Sequence, residues 1–283
     1  MENGLFWIAS YPKSGNTWAR CLIDSLSHGG AAPDLEQLHW HYPQPSARSW
    51  LEAVTEVPTD DLTTAELTGL RRSAYHALIT ETPLARLVAP GVRFLKIHDA
   101  YDPHGFPPDL TAGAVYLVRD PRDVAPSWAN HSGSTIDETI TEMARPDKAI
   151  GQKTSHWAPN APEQLGTWSD HVRSWLDGFP GPLLVIRYED MLADPHTVVG
   201  RFARFLGLPS TPSVVAAAVA ACGFPALAAI EEAHGFPERP KVQNRFFRQG
   251  KAGRWKTDLT AEQAAAHGPV MERLGYHPSA APS

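Results

Sequence analysis

The run from Leu5 to Ser27 constrains this chain more than any other stretch. Leu5-Phe6-Trp7-Ile8-Ala9 is a short apolar sequence with aromatic and β-branched residues, the pattern of a buried strand. Trp18, Cys21, Leu22, Ser25 and Leu26 recur at the spacing of one helix face, and Gly29-Gly30 supplies the stop. Between them lies Tyr11-Pro12-Lys13-Ser14-Gly15-Asn16-Thr17. A strand, a small-residue loop and a helix aim free backbone N–H groups and the positive helix end at an anion. Lys13 adds a mobile charge, and Ser14 and Thr17 add hydroxyl donors. A Walker loop needs a Gly, four residues, then Gly-Lys-Ser/Thr; here the Lys precedes the only Gly. Without further context the arrangement reads as an ordinary βα turn.

Composition narrows the function classes. A chain of 283 residues with 42% hydrophobic and 20% charged residues has material for one large α/β domain or two small ones. The formal net charge of −6 argues against a dedicated nucleic-acid binder and leaves room for a local basic pocket. Two cysteines, Cys21 and Cys222, provide neither a disulfide framework nor a metal spacing, and no metal site is expected. The apolar run after Met1 is too short for a signal peptide. Phe205 to Ile230 is uncharged but broken by Gly207, Pro209, Pro212, Gly223 and Pro225, which favours a helix and a turn over a membrane span. The expectation is a cytoplasmic protein with no membrane and no nucleic-acid partner.

Three further apolar runs read as strands: 92–98, Ala114 to Val118 and Leu183 to Arg187. Lys96 and His98 share one face at the end of the first. Alone, such a histidine reads as a hydrogen-bonded structural residue. Arg119 ends the next strand, and Asp120-Pro121 opens a helix, with Arg122 and Asp123 expected as capping and surface charges. Pro126 removes a helical N–H just before Ser127, so a kink there would shift the Ser127 hydroxyl. Tyr188-Glu189-Asp190 follows the last strand; capping and ion pairing suit the two acids better than paired catalysis. Helices are expected over 49–57, 64–88, 166–175, around Val198 to Leu206, and from Thr260 to Leu274. Trp168, Val172, Trp175 and Phe179 make a core stripe. His39-Trp40-His41 reads as loop or cap lining, and His156 as a weak candidate for a second base. The segment 131–166 has little periodicity and reads as a lid, and Phe246 to Lys256 as a basic surface turn.

The octet Tyr-Pro-Lys-Ser-Gly-Asn-Thr-Trp, residues 11–18, resembles the phosphosulfate loop of sulfotransferases that use 3′-phosphoadenosine 5′-phosphosulfate (PAPS), differing at Asn16 alone. The runs ending at His98, Tyr116 to Val124, Gly166 to Val172, Tyr188 to Asp190 and Arg248 to Lys256 are similar to further segments of that family. The resemblance implies an α/β fold: a single domain over 1–283 with a central parallel sheet flanked by helices, P-loop-like. It leaves acceptor-side segments at 30–90 and 131–165 and a disordered tail at 278–283. It implies His98 as general base, Lys13 opposite the leaving phosphate oxygen, and Lys96 beside the transferring group. Donor binding falls to Lys13, Ser14, Gly15, Asn16, Thr17 and Trp18, the last stacked on adenine. Arg119, Ser127, Arg248, Gln249 and Gly250 would hold the 3′-phosphate, and Tyr188 and Phe224 would approach the adenine. Gln249 stands where the family has Lys, and Arg254 where it has Asp.

In an open parallel sheet the C-terminal strand ends lie along one edge, so Lys13, His98, Arg119 and Tyr188 are expected at one crevice. Two basic sites suit a nucleotide with a 5′ anion and a 3′-phosphate better than ATP, and no Walker-B acid follows a strand. The expected reaction is sulfuryl transfer from PAPS, leaving PAP, to a hydroxyl or amine of a small acceptor. The Trp, His and Tyr of 30–90 favour an aromatic acceptor, and the N-terminal run is also similar to bacterial natural-product sulfotransferases. The rival readings are a P-loop kinase using ATP and a non-catalytic nucleotide-binding protein. Monomer and homodimer both remain open.

Overall fold

Each of the four apolar runs forms a strand. The computed structural model describes residues 4–80, 93–151, 159–247, 250–265 and 270–276. The first half contains β1 (Leu5–Ser10), α1 (Asn16–Ser27), α2 (Leu38–His41), α3 (Arg48–Thr55), α4 (Thr64–Thr80), β2 (Phe94–Ile97), β3 (Thr111–Val118), α5 (Pro121–Ser132) and α6 (Ile136–Met143). The second contains β4 (Ala149–Ile150), β5 (Glu163–Gln164), α7 (Trp168–Gly178), β6 (Leu183–Arg187), α8 (Tyr188–Ala193), α9 (Pro195–Leu206), α10 (Pro212–Ala221), α11 (Phe224–His234), α12 (Trp255–Asp258), α13 (Ala261–Ala265) and α14 (Val270–Arg273). The main sheet has the order β2-β1-β3-β6. β1 runs parallel to β2, with Phe6 opposite Phe94 and Ala9 opposite Ile97. A parallel pair needs a long crossover, and among the described residues between Ser10 and Phe94 the chain contains four helices. β1 is buried along nearly its whole length, as a strand covered on both faces must be.

The chain divides into two compact units, each assembled from separate stretches. One comprises Met1–Tyr11, His39–Tyr116 and Pro146–Leu183. Its core is aromatic. Trp175 lies 5.2 Å from Phe106, 5.5 Å from Phe179 and 5.6 Å from Tyr101, ring centre to ring centre. Trp7 meets Tyr75 and Phe106 edge-on, while its indole N–H donates to Thr111 Oγ1 at 3.0 Å. The stripe on α7 is core as its spacing predicts: Trp168, Val172 and Trp175 are buried. Thr167 caps this helix through Asp170 N, so it starts two residues later than expected. α3 ends at Thr55, where Glu56 turns left-handed, and α4 opens with a Thr63/Glu66 capping box. The expected continuation of α4 to Val88 lies outside the described residues.

The other unit comprises Pro12–Leu38, Leu117–Arg145 and Leu184–Ser283. α1 stops where Gly29-Gly30 predicts: both glycines have positive φ, and Gly30 N donates to Ser25 O at 2.7 Å. A side chain at Gly30 would collide with Ala217 of α10. The expectation of surface charges on α5 is corrected here. Pro126 sits inside α5, which runs unbroken through Ser127 to Ser132. Arg122 and Asp123 are buried rather than surface charges. The stretch after His131 is ordered at once into α6, opened by a Thr135/Glu138 capping box. In the first unit, the other end of the presumed lid forms the β4–β5 pair. The apolar run after Phe205 breaks into α10 and α11, bent by 54°, and among the described residues no single helix is long and apolar enough to cross a membrane. The last expected helix is present as α13 and α14, with 266–269 between them outside the described residues, as is the tail from 277.

His171 lies on α7 within the first core, fully buried. Its Nε2 is 3.0 Å from the His98 carbonyl, which can only accept, so Nε2 carries the proton and Nδ1 accepts from Tyr116 Oη at 2.9 Å. Burial lowers its pKa to about 4. The native state therefore refuses a proton that the unfolded chain takes up near the ordinary 6.5. Stability is present above that pH and is lost as pH falls toward 4, by roughly 3 kcal/mol. Asp99, raised by burial against the opposing Arg71, slopes the other way in any variant that retains it. Between pH 7 and pH 4 the natural chain should thus lose about 3 kcal/mol more unfolding free energy than His171→Gln in denaturant titrations. Equal losses would show that His171 is not held neutral.

Candidate active site

The loop between β1 and α1 turns on two left-handed residues, Lys13 at φ 68° and Gly15 at φ 99°. Lys13 pays strain for that conformation, which clusters where backbone N–H groups are gathered toward a ligand. Gly15 has a second reason to lack a side chain: a Cβ would lie 2.9 Å from the Tyr188 ring. α1 starts at Asn16 with no side-chain cap, so its first N–H groups are left to the loop's concave side. The Ser14 hydroxyl is buried with no hydrogen-bond partner among the described residues. A buried donor without a protein partner, beside an uncapped helix start, is a place where an anion can be held.

Arg119 organises the surroundings of this loop. Its Nη1 donates to Lys13 O at 3.2 Å, its Nη2 to Lys251 O at 3.1 Å, and its guanidinium lies 4.5 Å above the Tyr188 ring. Its Nε is buried without a partner among the described residues. Burial raises the Tyr188 pKa, keeping the ring a neutral platform. Trp18 meets Tyr188 edge-on at 5.7 Å and donates its indole N–H to Cys222 O at 2.9 Å. Gly250, at φ 56°, passes so close to Phe224 that a Cβ would come within 2.5 Å of the ring. Lys13, Gly15, Trp18, Arg119, Tyr188, Phe224 and Gly250 are therefore linked by direct contacts or through Lys251. Ser127 is half-buried on α5; Arg248 and Gln249 lie outside the described residues, as does His156.

The Asn16 side chain has a structural task. Arg20, fully buried, donates Nε to Asn16 Oδ1 at 3.2 Å and Nη2 to Thr17 Oγ1 at 3.2 Å, and it grips Glu238 through two 2.6 Å bonds. A bidentate pair of this kind holds the helix start against the segment after α11. Lys13 Nζ is 3.1 Å from His131 Nδ1 and 5.0 Å from the centre of the Phe246 ring. Spacing offered one signal for His131: it follows Ser127 by one helical turn on α5. Asp123 gave none. Its two oxygens accept from Gly253 N at 2.6 Å and Trp255 N at 2.9 Å, while Arg122 pairs with Asp120 and lies 3.8 Å over the Trp255 ring. The basic 250s segment is thus pinned to α5 from beneath.

In the other unit, His98 follows β2. Its Nδ1 is 2.8 Å from the Ser10 carbonyl and 3.3 Å from Ser10 Oγ. The carbonyl can only accept, so Nδ1 bears the proton and the basic lone pair belongs to Nε2. The His98 N–H donates to Glu163 Oε2 at 3.1 Å, and its carbonyl accepts from His171. Lys96 stands opposite Ile8 on β2, with its N–H bonded to Pro43 O. Glu163, buried on a two-residue strand, carries no sequence pattern that marks it.

Removing the Asp123 carboxylate strands the N–H groups of Gly253 and Trp255. Asp123→Ala should cost roughly 2–4 kcal/mol in denaturant unfolding. It should also shift the Trp255 contribution to fluorescence toward that of an exposed indole, and an unchanged spectrum would contradict the pinning.

Comparison with known proteins agrees with this architecture. The chain is similar to cytosolic sulfotransferase 16 of Arabidopsis thaliana, 27% identical over 92% of this chain and 86% of that protein. It is similar also to flavonol 3-sulfotransferase of Flaveria bidentis, 25% identical over 90% and 77%. Among solved structures, mouse sulfotransferase SULT7A1 complexed with PAP superposes with a TM-score of 0.57 at 20% identity, covering 93% of this chain and 80% of that one. Retinol dehydratase in complex with retinol and PAP gives 0.58 at 19% identity, covering 95% and 80%. At such identities these structures speak for the fold. The sulfotransferase domain model matches residues 4–274, nearly the whole of the described chain, and the protein belongs to the sulfotransferase domain family.

Proposed function

We propose that the protein moves a sulfuryl group from PAPS to a hydroxyl or amine of a small acceptor, acting as one sulfotransferase domain over residues 1–283. The observation that carries this reading is the pair of buried donors without a partner among the described residues: Ser14 Oγ in the strained Lys13 loop, and Nε of Arg119, whose guanidinium holds the Lys13 carbonyl. Two anion-seeking groups suit a nucleotide phosphorylated at both 3′ and 5′ positions. Relatives of the chain solved with PAP support the same assignment.

PAPS supplies the activated sulfuryl group. The N–H groups of Ser14 to Thr17 and the Ser14 hydroxyl hold its 5′ end, and Lys13 neutralises charge that develops on the leaving phosphate oxygen. Arg119, with Ser127, Arg248, Gln249 and the Gly250 backbone, holds the 3′-phosphate. Trp18, Tyr188 and Phe224 form the aromatic contacts of the adenine. His98 accepts the acceptor's proton at Nε2, the nitrogen left basic when Nδ1–H is donated to Ser10. Lys96 stabilises the transferring group. The Trp, His and Tyr side chains of 30–90, exposed Trp40 among them, support an aromatic acceptor. So do the flavonol relatives, and a natural-product acceptor is the narrower form of the proposal. A cytoplasmic location is part of it, supported by the cytosolic relatives.

A screen of phenols, alcohols and amines with labelled PAPS and no Mg²⁺ should yield sulfated product by mass spectrometry. Turnover that instead needs ATP and Mg²⁺ would overturn the reading in favour of a kinase. His98→Ala should lower kcat by roughly 10²–10⁴-fold with PAP binding intact. Arg119→Ala should weaken PAP binding by roughly 10- to 100-fold in calorimetry. Full turnover in His98→Ala would remove the base from the proposal.

A further inference from the structure

We propose that Glu163 and His171 are positioning residues for His98, clamping the peptide groups on both sides of it so that its ring keeps the proton on Nδ1. The inference deepens the reading of His98 as a base and rests on it. Both partners bond the main chain of His98. Glu163 accepts the His98 N–H on Oε2 at 3.1 Å, and its other oxygen accepts from Ser46 Oγ at 3.0 Å and from Gln44 Nε2. His171 donates Nε2–H to the His98 carbonyl at 3.0 Å and is itself fixed by Tyr116 Oη at 2.9 Å. Tyr116 stacks on the His171 ring at 5.7 Å and Tyr11 packs edge-on at 5.2 Å, so the donor cannot swing away.

The clamp continues into the next residue. Asp99 Oδ1 accepts from Gln164 N at 2.8 Å, its Oδ2 meets Arg71 Nη1 at 3.2 Å, and its carbonyl accepts from the Trp175 indole at 3.1 Å. Two successive residues after a four-residue strand are thus held on every main-chain polar group by buried side chains, apart from the Asp99 N–H. A strand end fixed by its own ladder needs no such arrangement. The consequence lies in the ring: which nitrogen is basic is set by the hydrogen bond the other one makes. That bond, Nδ1–H to Ser10 O at 2.8 Å, keeps its geometry while the His98 main chain cannot rotate.

The test reads the tautomer directly. In protein labelled with ¹⁵N-histidine, the His98 ring signals are assigned by their loss in His98→Gln. At pH 8 the natural chain should show a protonated Nδ1 and an unprotonated Nε2. Glu163→Ala and His171→Phe should move both signals toward the average of two tautomers. They should lower kcat about tenfold to a hundredfold, with PAP affinity within twofold of the natural value. Glu163→Gln and His171→Gln, which keep an acceptor and a donor at those places, should restore most of both. If either larger change prevents folding, Ser46→Ala and Tyr116→Phe should move the signals in the same direction to a smaller extent. Unaltered His98 signals in the folded variants would overturn the proposal, whatever happens to kcat. Turnover in His98→Ala would instead remove the base reading, and the tautomer measurement would still decide the clamp.

Discussion

The guanidinium of Arg119 forms the contacts on which the loop after β1 depends. It presents donors in a fixed plane, so it can hold two carbonyls and one aromatic face at once. Lys13 O, Lys251 O and the Tyr188 ring are those three partners. A residue forced to φ 68° needs such support, because its strain persists only where the surroundings over-determine it. The same side chain keeps one nitrogen buried and unspent, which a phosphate can use.

A second theme is the use of buried charge to hold irregular backbone. Arg20 and Glu238 secure the start of α1, Asp123 secures the 250s segment, Glu231 accepts from the N–H groups of Phe246 and Phe247, and Glu163 secures His98. Each acid or base is satisfied by several partners, the condition under which burying a charge does not destabilise a fold. Loops that must offer N–H groups or a ring to a ligand cannot rely on helix or sheet ladders. Side chains anchored in regular elements perform that task instead.

The tautomers of two histidines follow from the same economy of hydrogen bonds. His171 and His98 are both assigned a tautomer by a carbonyl that can only accept, and in opposite senses: Nε2–H in His171, Nδ1–H in His98. One is inert, sealed by Tyr116 and by burial. The other directs its basic nitrogen elsewhere.

By itself the sequence determined the strands, the stop of α1 and the octet at 11–18, because apolar periodicity, paired glycines and a Lys-Ser-Gly turn act locally. It also placed Arg119 and Tyr188 at strand ends, where a parallel sheet offers its ligand edge. It misjudged Arg122 and Asp123, reading a surface charge where Trp255 and Gly253 cover α5. The charge of a residue says nothing about which distant N–H will reach it, and partners more than a hundred positions apart leave no spacing to read. Only the tertiary structure decided that Glu238 answers Arg20, that His131 meets Lys13, and that Glu163 and His171 hold His98. Those pairings form when separate elements pack, and local sequence has no means of recording them.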